Sequence, residues 1–212
     1  MIERIPLFPL ELVLFPQAPL PLHIFEPRYR EMIGDCLAHD REFGMVCAFP
    51  GKGSSIARVG CTARIEAVLN QYEDGKLDIL THGVRRFRVR RILEECSYHQ
   101  ADVEWLPEEA ATMEAVEDRG RAQVRVVDLH NQLMMLAFEV GVAVDMRAPE
   151  ESEHLAFALA NMLPFDLAVK QAILESNSEK RRLELLAAAY EELLVRAREI
   201  AHQVECPPKH IM

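Results

Sequence analysis

The sequence is poor in tryptophan (one residue) and glycine (nine in 212), and its five cysteines form no CxxC pair. Those cysteines, at positions 36, 47, 61, 96 and 206, are odd in number and widely spaced, which excludes a disulfide framework and a zinc knuckle and points to the reducing cytoplasm. Long apolar runs are also missing. The most apolar window, residues 133–144, is broken by Glu139 and falls short of the roughly 18 residues that a membrane span needs. The opening MIERIPLFPLELVLFP puts Glu3, Arg4 and three prolines where a signal peptide requires an unbroken apolar stretch, so neither export nor membrane insertion is expected. Positive charge is scarce as well: 24 Lys and Arg face 34 Asp and Glu, a net charge of −10. The deficit is −4 over residues 1–110 and −6 over the remainder, so neither half is a basic module and nonspecific binding to phosphate backbones is disfavoured. What is present, 50% hydrophobic and 27% charged residues, describes a globular chain with enough core for one large or two small domains.

The pattern changes near residues 107–112. Before it, prolines at 6, 9, 16, 19, 21, 27 and 50 punctuate short apolar runs, the mark of strands and turns. FGMVCAF (Phe43–Phe49) reads as a buried strand, TARIEAVL (residues 62–69) alternates in part, and Asp74-Gly75 before residues 76–81 signals a hairpin, because glycine accepts the positive φ of a tight turn. In VRRFRVRRI (residues 84–92) the period of two sets Phe87 and Val89 on one face and Arg86, Arg88 and Arg90 on the other, and Arg91 breaks the alternation as a bulge would. Residues 27–37 (PRYREMIGDCL) are the helical exception, with Pro27 suited to the first turn. After the change the spacing is helical throughout. One long helix is expected over residues 112–146, with Gly120 and Gly141 as kinks or ends; a second from Ser152 to Pro164; a third from Asp166; and a fourth from Asn177-Ser178 to about Val204. Their apolar stripes read as a bundle's own core, with a partner-binding coiled coil as the alternative. The expected organisation is a β-rich subdomain over residues 1–110, a helical bundle over 111–206 and a frayed tail over 207–212.

No catalytic constellation stands out: there is no GxSxG elbow and no HExxH helix. GKGSS (residues 51–55) lacks the spacing of a phosphate loop and reads as a plain loop. His202, Cys206 and His210 are four apart, but Pro207 and Pro208 spoil a helical ligand face, so no metal is expected. His23 near Glu26 is the one hint of hydrolytic chemistry and reads more simply as a structural pair. Arg85, Arg86, Arg88, Arg90 and Arg91 could follow a nucleic-acid backbone, or pair with acids on neighbouring strands, as cross-strand charges ordinarily do. The most unusual stretch is residues 5–29, IPLFPLELVLFPQAPLPLHIFEPRY, whose apolar residues are bracketed by prolines that forbid a long helix and confine strands to short or edge positions. It must be extended and largely buried, with leftover apolar groups free to form an exposed groove.

IPLFPL followed by VLFP and then LPLHIFEPRYR resembles the opening signature of the N-terminal, substrate-binding LON domain of Lon proteases, which also occurs alone in small bacterial proteins. VGCTARI (residues 59–65) and GVRRFRV (residues 83–89) are similar to its paired strand motifs, and KQAILE (residues 170–175) with Arg182-Leu183 to its helical half; Cys61 is a local departure. The resemblance implies an α+β protein, an N-terminal PUA-like β pseudo-barrel with one short helix followed by a C-terminal helical bundle. It further implies a non-catalytic, stand-alone cytoplasmic module without cofactor that recognises exposed hydrophobic segments of unfolded or partly folded polypeptides, as an adaptor or quality-control accessory to a protease or chaperone. The phosphate loop and the serine and lysine dyad of full-length Lon are not found in this sequence. Polypeptide contact is expected at Phe15, Leu22, His23, Phe25, Tyr29 and Arg86, the aromatic groups supplying apolar area and Arg86 orienting a backbone or carboxylate. The alternative is RNA binding through the sheet and the arginine strand.

Overall fold

The computed structural model describes residues 2–51, 55–108, 113–139, 141, 148–149 and 154–205, with the backbone alone for 113–115 and 202–205. Ser152, the residues 52–54 of the GKGSS loop, the side chain of His202, Cys206, His210 and the tail lie outside that description. Six strands and five helices follow one another as β1 (Ile2–Leu10), β2 (Pro19–Ile24), α1 (Pro27–His39), β3 (Phe43–Phe49), β4 (Ser55–Gln71), β5 (Leu77–Leu93), β6 (Gln100–Trp105), α2 (Met113–Glu139), α3 (Leu155–Met162), α4 (Leu167–Glu175) and α5 (Glu179–Glu205). The chain is thus a mixed α+β protein. It divides into two compact units: residues 1–108 with 166–177, and residues 109–165 with 178–212.

The first unit is built on one sheet in the order β2-β5-β4-β3-β1-β6. β5 also pairs with β6, so β5, β4, β3, β1 and β6 form a ring and β2 is an appendage on β5. Only β1 and β3 run parallel. The two segments that the sequence suggests at 76–81 and 84–92 are one 17-residue strand: its first half pairs with β2 and β4, its second with β4 and β6. The register slips between Val89 and Arg91, where the extra arginine breaks the alternation. Gly83 keeps β5 continuous, because a Cβ there would stand 2.0 Å from the Phe15 carbonyl oxygen. Gly60 likewise admits the Phe87 ring, which would meet a Cβ at 2.6 Å. Phe87 and Val89 do face inward, into a core with Ile5, Leu7, Val46, Ala101 and Val103.

Pro6 and Pro9 lie inside β1, a strand with neighbours on both sides, and the register explains how. Residues 2–6 pair with β6 and residues 7–10 with β3, so each half of β1 has one unpaired side on which a missing N–H costs nothing. α1 begins at Pro27, a residue suited to the first turn, and buries Tyr29, Met32, Ile33 and Cys36, one face at helical spacing. It ends at Asp40 in the left-handed conformation (φ 50°), whose N–H donates to the Cys36 carbonyl.

α4 belongs to this unit and not to the helical one. The side-chain amide of Gln171 donates to the Val59 carbonyl at 3.0 Å on β4 and to Glu175 at 2.8 Å, spending a buried polar group on strand and helix together.

The second unit consists of α2, α3 and α5. α2 runs through Gly120 without a break, so the helix does not end there, and Gly141 (φ 78°) donates its N–H to the Phe138 carbonyl in a turn after α2. Leu183, Leu186, Tyr190 and Leu194 of α5 are buried, as are Val126 and Leu133 of α2 and Leu155 and Leu159 of α3, so the stripe on α5 is core as far as Leu194, while Ile200, its last member, is exposed. Tyr190 sits against His130, with 2.8 Å between its hydroxyl and Nδ1, and edge-on to Phe165. Glu179, at the start of α5, accepts from the Ala156 N–H at 2.9 Å and from Arg182 at 3.1 Å, and the Arg182 guanidinium lies 4.2 Å from the centre of the Phe157 ring.

Candidate functional site

The proline-rich opening segment forms the site. The end of β1 (Phe8, Pro9, Leu10), Leu12, the residues 20–24 of β2, then Phe25, Glu26, Arg28 and Tyr29 line a groove of about 350 Å³ in the first unit. Its walls are set by the strands and by the turn into α1. Leu22 and Ile24 are buried, Leu20 is half-buried, and Phe25, the first of the two residues between β2 and α1, is 57% exposed. Tyr29 is packed in α1 with the centre of its ring 4.0 Å from that of Phe8 and 4.5 Å from the Arg28 guanidinium. Burial pushes the Tyr29 phenol above its ordinary range, so it stays protonated at any physiological pH. Glu26 and Arg28 pair with each other at 2.8 Å, leaving the rim with little net charge.

Of the residues expected from the sequence to contact a polypeptide, Leu22, His23, Phe25 and Tyr29 come together in this groove. Phe15 and Arg86 do not. Phe15 is fully buried, in the chain between β1 and β2, and its carbonyl accepts from the Ala18 N–H. Arg86 corrects a reading based on strand period alone. Alternation puts it opposite Phe87, but α4 and the segment after β6 cover it: its guanidinium donates to the carbonyls of Leu174 (2.8 Å), Ser176 (2.6 Å) and Pro107 (3.3 Å), to Glu108 (2.8 Å) and to the Asn177 side chain (3.2 Å). With its side chain 1% exposed, it holds the unit together and offers no donor to a partner. Two of the other four strand arginines are engaged as well. Arg85 lies 3.4 Å over the Trp105 ring and 3.6 Å from Glu42, and Arg90 pairs with Glu104.

Sequence reasoning does not reach the small polar cluster at the groove's edge. His23 Nδ1 lies 2.6 Å from Asp78, which also accepts from the Tyr72 hydroxyl at 2.7 Å. The bond from His23, followed by that from Tyr72, holds the Asp78 carboxyl below its usual range. The His23 ring stacks at 6.0 Å on Phe25 and meets Tyr72 edge-on at 5.9 Å. Asp78 and Tyr72 are far from residue 23 along the chain, and only the pairing of β2 with β5 (His23↔Asp78) brings them there. His23 is therefore partnered by Asp78 and not by Glu26. Across α1, at its C-terminal end, a second and more polar cavity of about 550 Å³ is lined by Arg4, Asp35, Asp40, Arg41, Arg85, Trp105 and neighbours. Among the described residues no three His, Cys, Asp or Glu side chains are grouped as metal ligands, and no helix is long and apolar enough to cross a membrane.

A ring of strands with a proline-lined apolar groove on one unit, and a unit of helices, define an α+β protein. The chain belongs to the family described as the ATP-dependent protease La (LON) substrate-binding domain, whose model matches residues 4–189. It is 28% identical over 190 residues to Lon protease 1 of Syntrophobacter fumaroxidans and 30% identical over 215 residues to Lon protease 2 of Myxococcus xanthus, alignments that cover 85% and 93% of this chain. It spans about a quarter of the length of these curated relatives (23% and 24%). Among solved structures, a Lon N-terminal domain protein from Xanthomonas campestris aligns with a TM-score of 0.63 and 27% identity over 88% of this chain and 98% of that one. The N-terminal domain of Mycobacterium avium complex Lon protease has a TM-score of 0.66 at 16% identity, over 90% of this chain and 99% of that one, a likeness of fold.

Proposed function

We propose that the chain is a non-catalytic polypeptide-binding module that holds exposed hydrophobic segments of unfolded or partly folded proteins in the groove beside β2, with an adaptor or quality-control role alongside a protease or chaperone. The observation that carries this reading is Phe25: a large aromatic side chain, 57% exposed, at the mouth of an apolar groove whose other walls are already packed. Family membership supports it, since the family's description is of substrate binding. In this reading the strand ring is a PUA-like pseudo-barrel, the second unit is a helical bundle, and His23, Leu22 and Tyr29 shape the groove around Phe25. Phe15 and Arg86 serve as its frame. A cytoplasmic setting accords with Cys36, Cys47, Cys61 and Cys96, which are all free thiols.

The test is fluorescence anisotropy of a labelled, permanently unfolded polypeptide titrated with the protein at low and high salt. Saturable binding that persists at high salt is expected, because burial of apolar surface is not screened. Phe25→Ala should weaken it roughly tenfold, the scale of an aromatic anchor at an interface, with the melting temperature unchanged. No binding by a protein shown to be folded overturns the reading. Binding that collapses steeply as salt rises would instead mark an electrostatic partner such as RNA.

A further inference from the structure

Besides the half-edges of β1, free edge runs along β2, paired with β5 alone, and along the outer half of β4 beyond Ala63, where the pairing with β3 ends. They are protected differently. The β4 pairing with β5 slips in register three times, between Cys61/Ala63, Ile65/Ala67 and Val68/Asn70, so that edge is bent and offers no regular ladder. β2 is unbroken over six pairs, from Pro19↔His82 to Ile24↔Leu77. Its backbone polarity follows from one hydrogen bond at its start. The Gly83 N–H donates to the Ala18 carbonyl at 2.9 Å, which sets the bonded pairs of this antiparallel ladder at Leu20↔Thr81, Leu22↔Ile79 and Ile24↔Leu77. The alternate residues, Pro19, Pro21 and His23, therefore turn their backbone groups outward. Two of the three are prolines and have no N–H. The outer edge of β2 presents three carbonyl acceptors and a single donor, that of His23, at intervals of about 6.8 Å, the two-residue repeat of an extended strand.

Such an edge selects its occupant. Another copy of β2 would bring acceptors against acceptors, so the prolines block edge-to-edge pairing of the protein with itself. An ordinary extended chain brings an N–H to every second position along one edge and can give these to the three carbonyls, while its own carbonyls on that edge find a donor at His23. The groove supplies the other half of the match. It is lined by all of residues 20–25 together with Leu10 and Leu12, so a strand laid along β2 has an apolar surface beneath every second side chain. We propose that β2 receives its ligand by strand addition: an extended polypeptide segment with apolar side chains at alternate positions donates its backbone N–H groups to the carbonyls of Pro19, Pro21 and His23. This rests on the groove reading above and adds the manner and the chemistry of recognition, in which affinity comes from main-chain donors and apolar alternation and not from any one sequence.

The experiment uses the full chain and a fluorescein-labelled octapeptide of alternating leucine and threonine, flanked by lysines for solubility, in three forms: unmodified, N-methylated at the leucines, and N-methylated at the threonines. In an extended strand the leucine N–H groups point to one edge and the threonine N–H groups to the other, so the two methylated peptides delete opposite edges. The unmodified peptide should bind, Phe25→Ala should weaken it, and one methylated form should lose at least about tenfold while the other stays within about twofold, as expected for loss of two or three hydrogen bonds. Equal loss or equal retention by the two forms, with Phe25→Ala still weakening the parent peptide, overturns strand addition and leaves the groove reading in place. Failure of the unmodified peptide to bind, when the longer unfolded polypeptide also fails, overturns both. A dimer of the protein alone that the peptide dissociates would make a second copy the occupant of the edge and overturns the proposal.

Discussion

Arg86 shows how a charged side chain on a strand can be structural. Its five acceptors include three backbone carbonyls, and those of Leu174 and Ser176 stand at the C-terminal end of α4, where a helix dipole favours a cation. Arg86→Met should lower the unfolding free energy by about 3 kcal/mol in urea titrations, since the carbonyls lose their donor and Glu108 its partner. Arg86→Lys should restore little of that, because an ammonium cannot span acceptors set in a fork. The cysteines make a second residue-scale case. Burial pushes the Cys36 and Cys61 thiols up to about 12, so both stay protonated in the folded chain while the unfolded chain ionises near the ordinary value of 9.0. A raised pKa gives stability that is complete below pH 9 and declines as pH rises toward 12, so denaturation midpoints should fall over that window. Alkylation of the native protein followed by peptide mass spectrometry should find Cys96 modified, with Cys36, Cys47 and Cys61 spared until unfolding. The period of two placed Arg86 opposite Phe87 correctly and said nothing of what lies over it, because alternation reports a side of a strand and not its neighbour. The same limit separates Phe15 from Phe25: both are aromatic and follow an apolar residue, and only the course of the chain buries one and exposes the other.

Among the elements, those whose evidence is local were legible. The Phe43–Phe49 strand, the helix opening at Pro27 and the turn at Asp74-Gly75 (φ 82° at the glycine) all stand where period and turn chemistry put them. α4 was legible as a helix, starting at Asp166 as its N-cap, yet its apolar residues suit a bundle as well as a sheet. What ties it to the sheet are long-range polar contacts, Gln171 to the Val59 carbonyl across 112 residues of sequence and Arg86 to the carbonyls of Leu174 and Ser176. β2 carries the prediction proper to this scale. Replacing Pro19 and Pro21 with alanine adds two outward N–H donors to an edge that has one, so the doubly substituted protein should self-associate with rising concentration in sedimentation velocity, where the parent does not. Its melting temperature should change little, since neither proline side chain is buried.

For the whole molecule, the chain's path matters more than its composition. The first unit is made of residues 1–108 and returns for residues 166–177, with the second unit threaded between. A chain cut after residue 110 keeps every strand but lacks α4, three of the five acceptors of Arg86 (Leu174, Ser176 and Asn177) and the partner of Val59. It should fail to give a cooperative thermal transition by circular dichroism, and a peptide of residues 166–177 added in excess should raise its residual structure. The same path sets an order in time. A ribosome releases the six strands well before it has made the helix that closes them, and at about 5–20 residues per second the interval between Arg86 and Asn177 is roughly 5–20 s. Through that interval the nascent sheet has the Arg86 guanidinium and the Val59 carbonyl open to water, so the last step in maturing the first unit is the capture of a segment of its own chain.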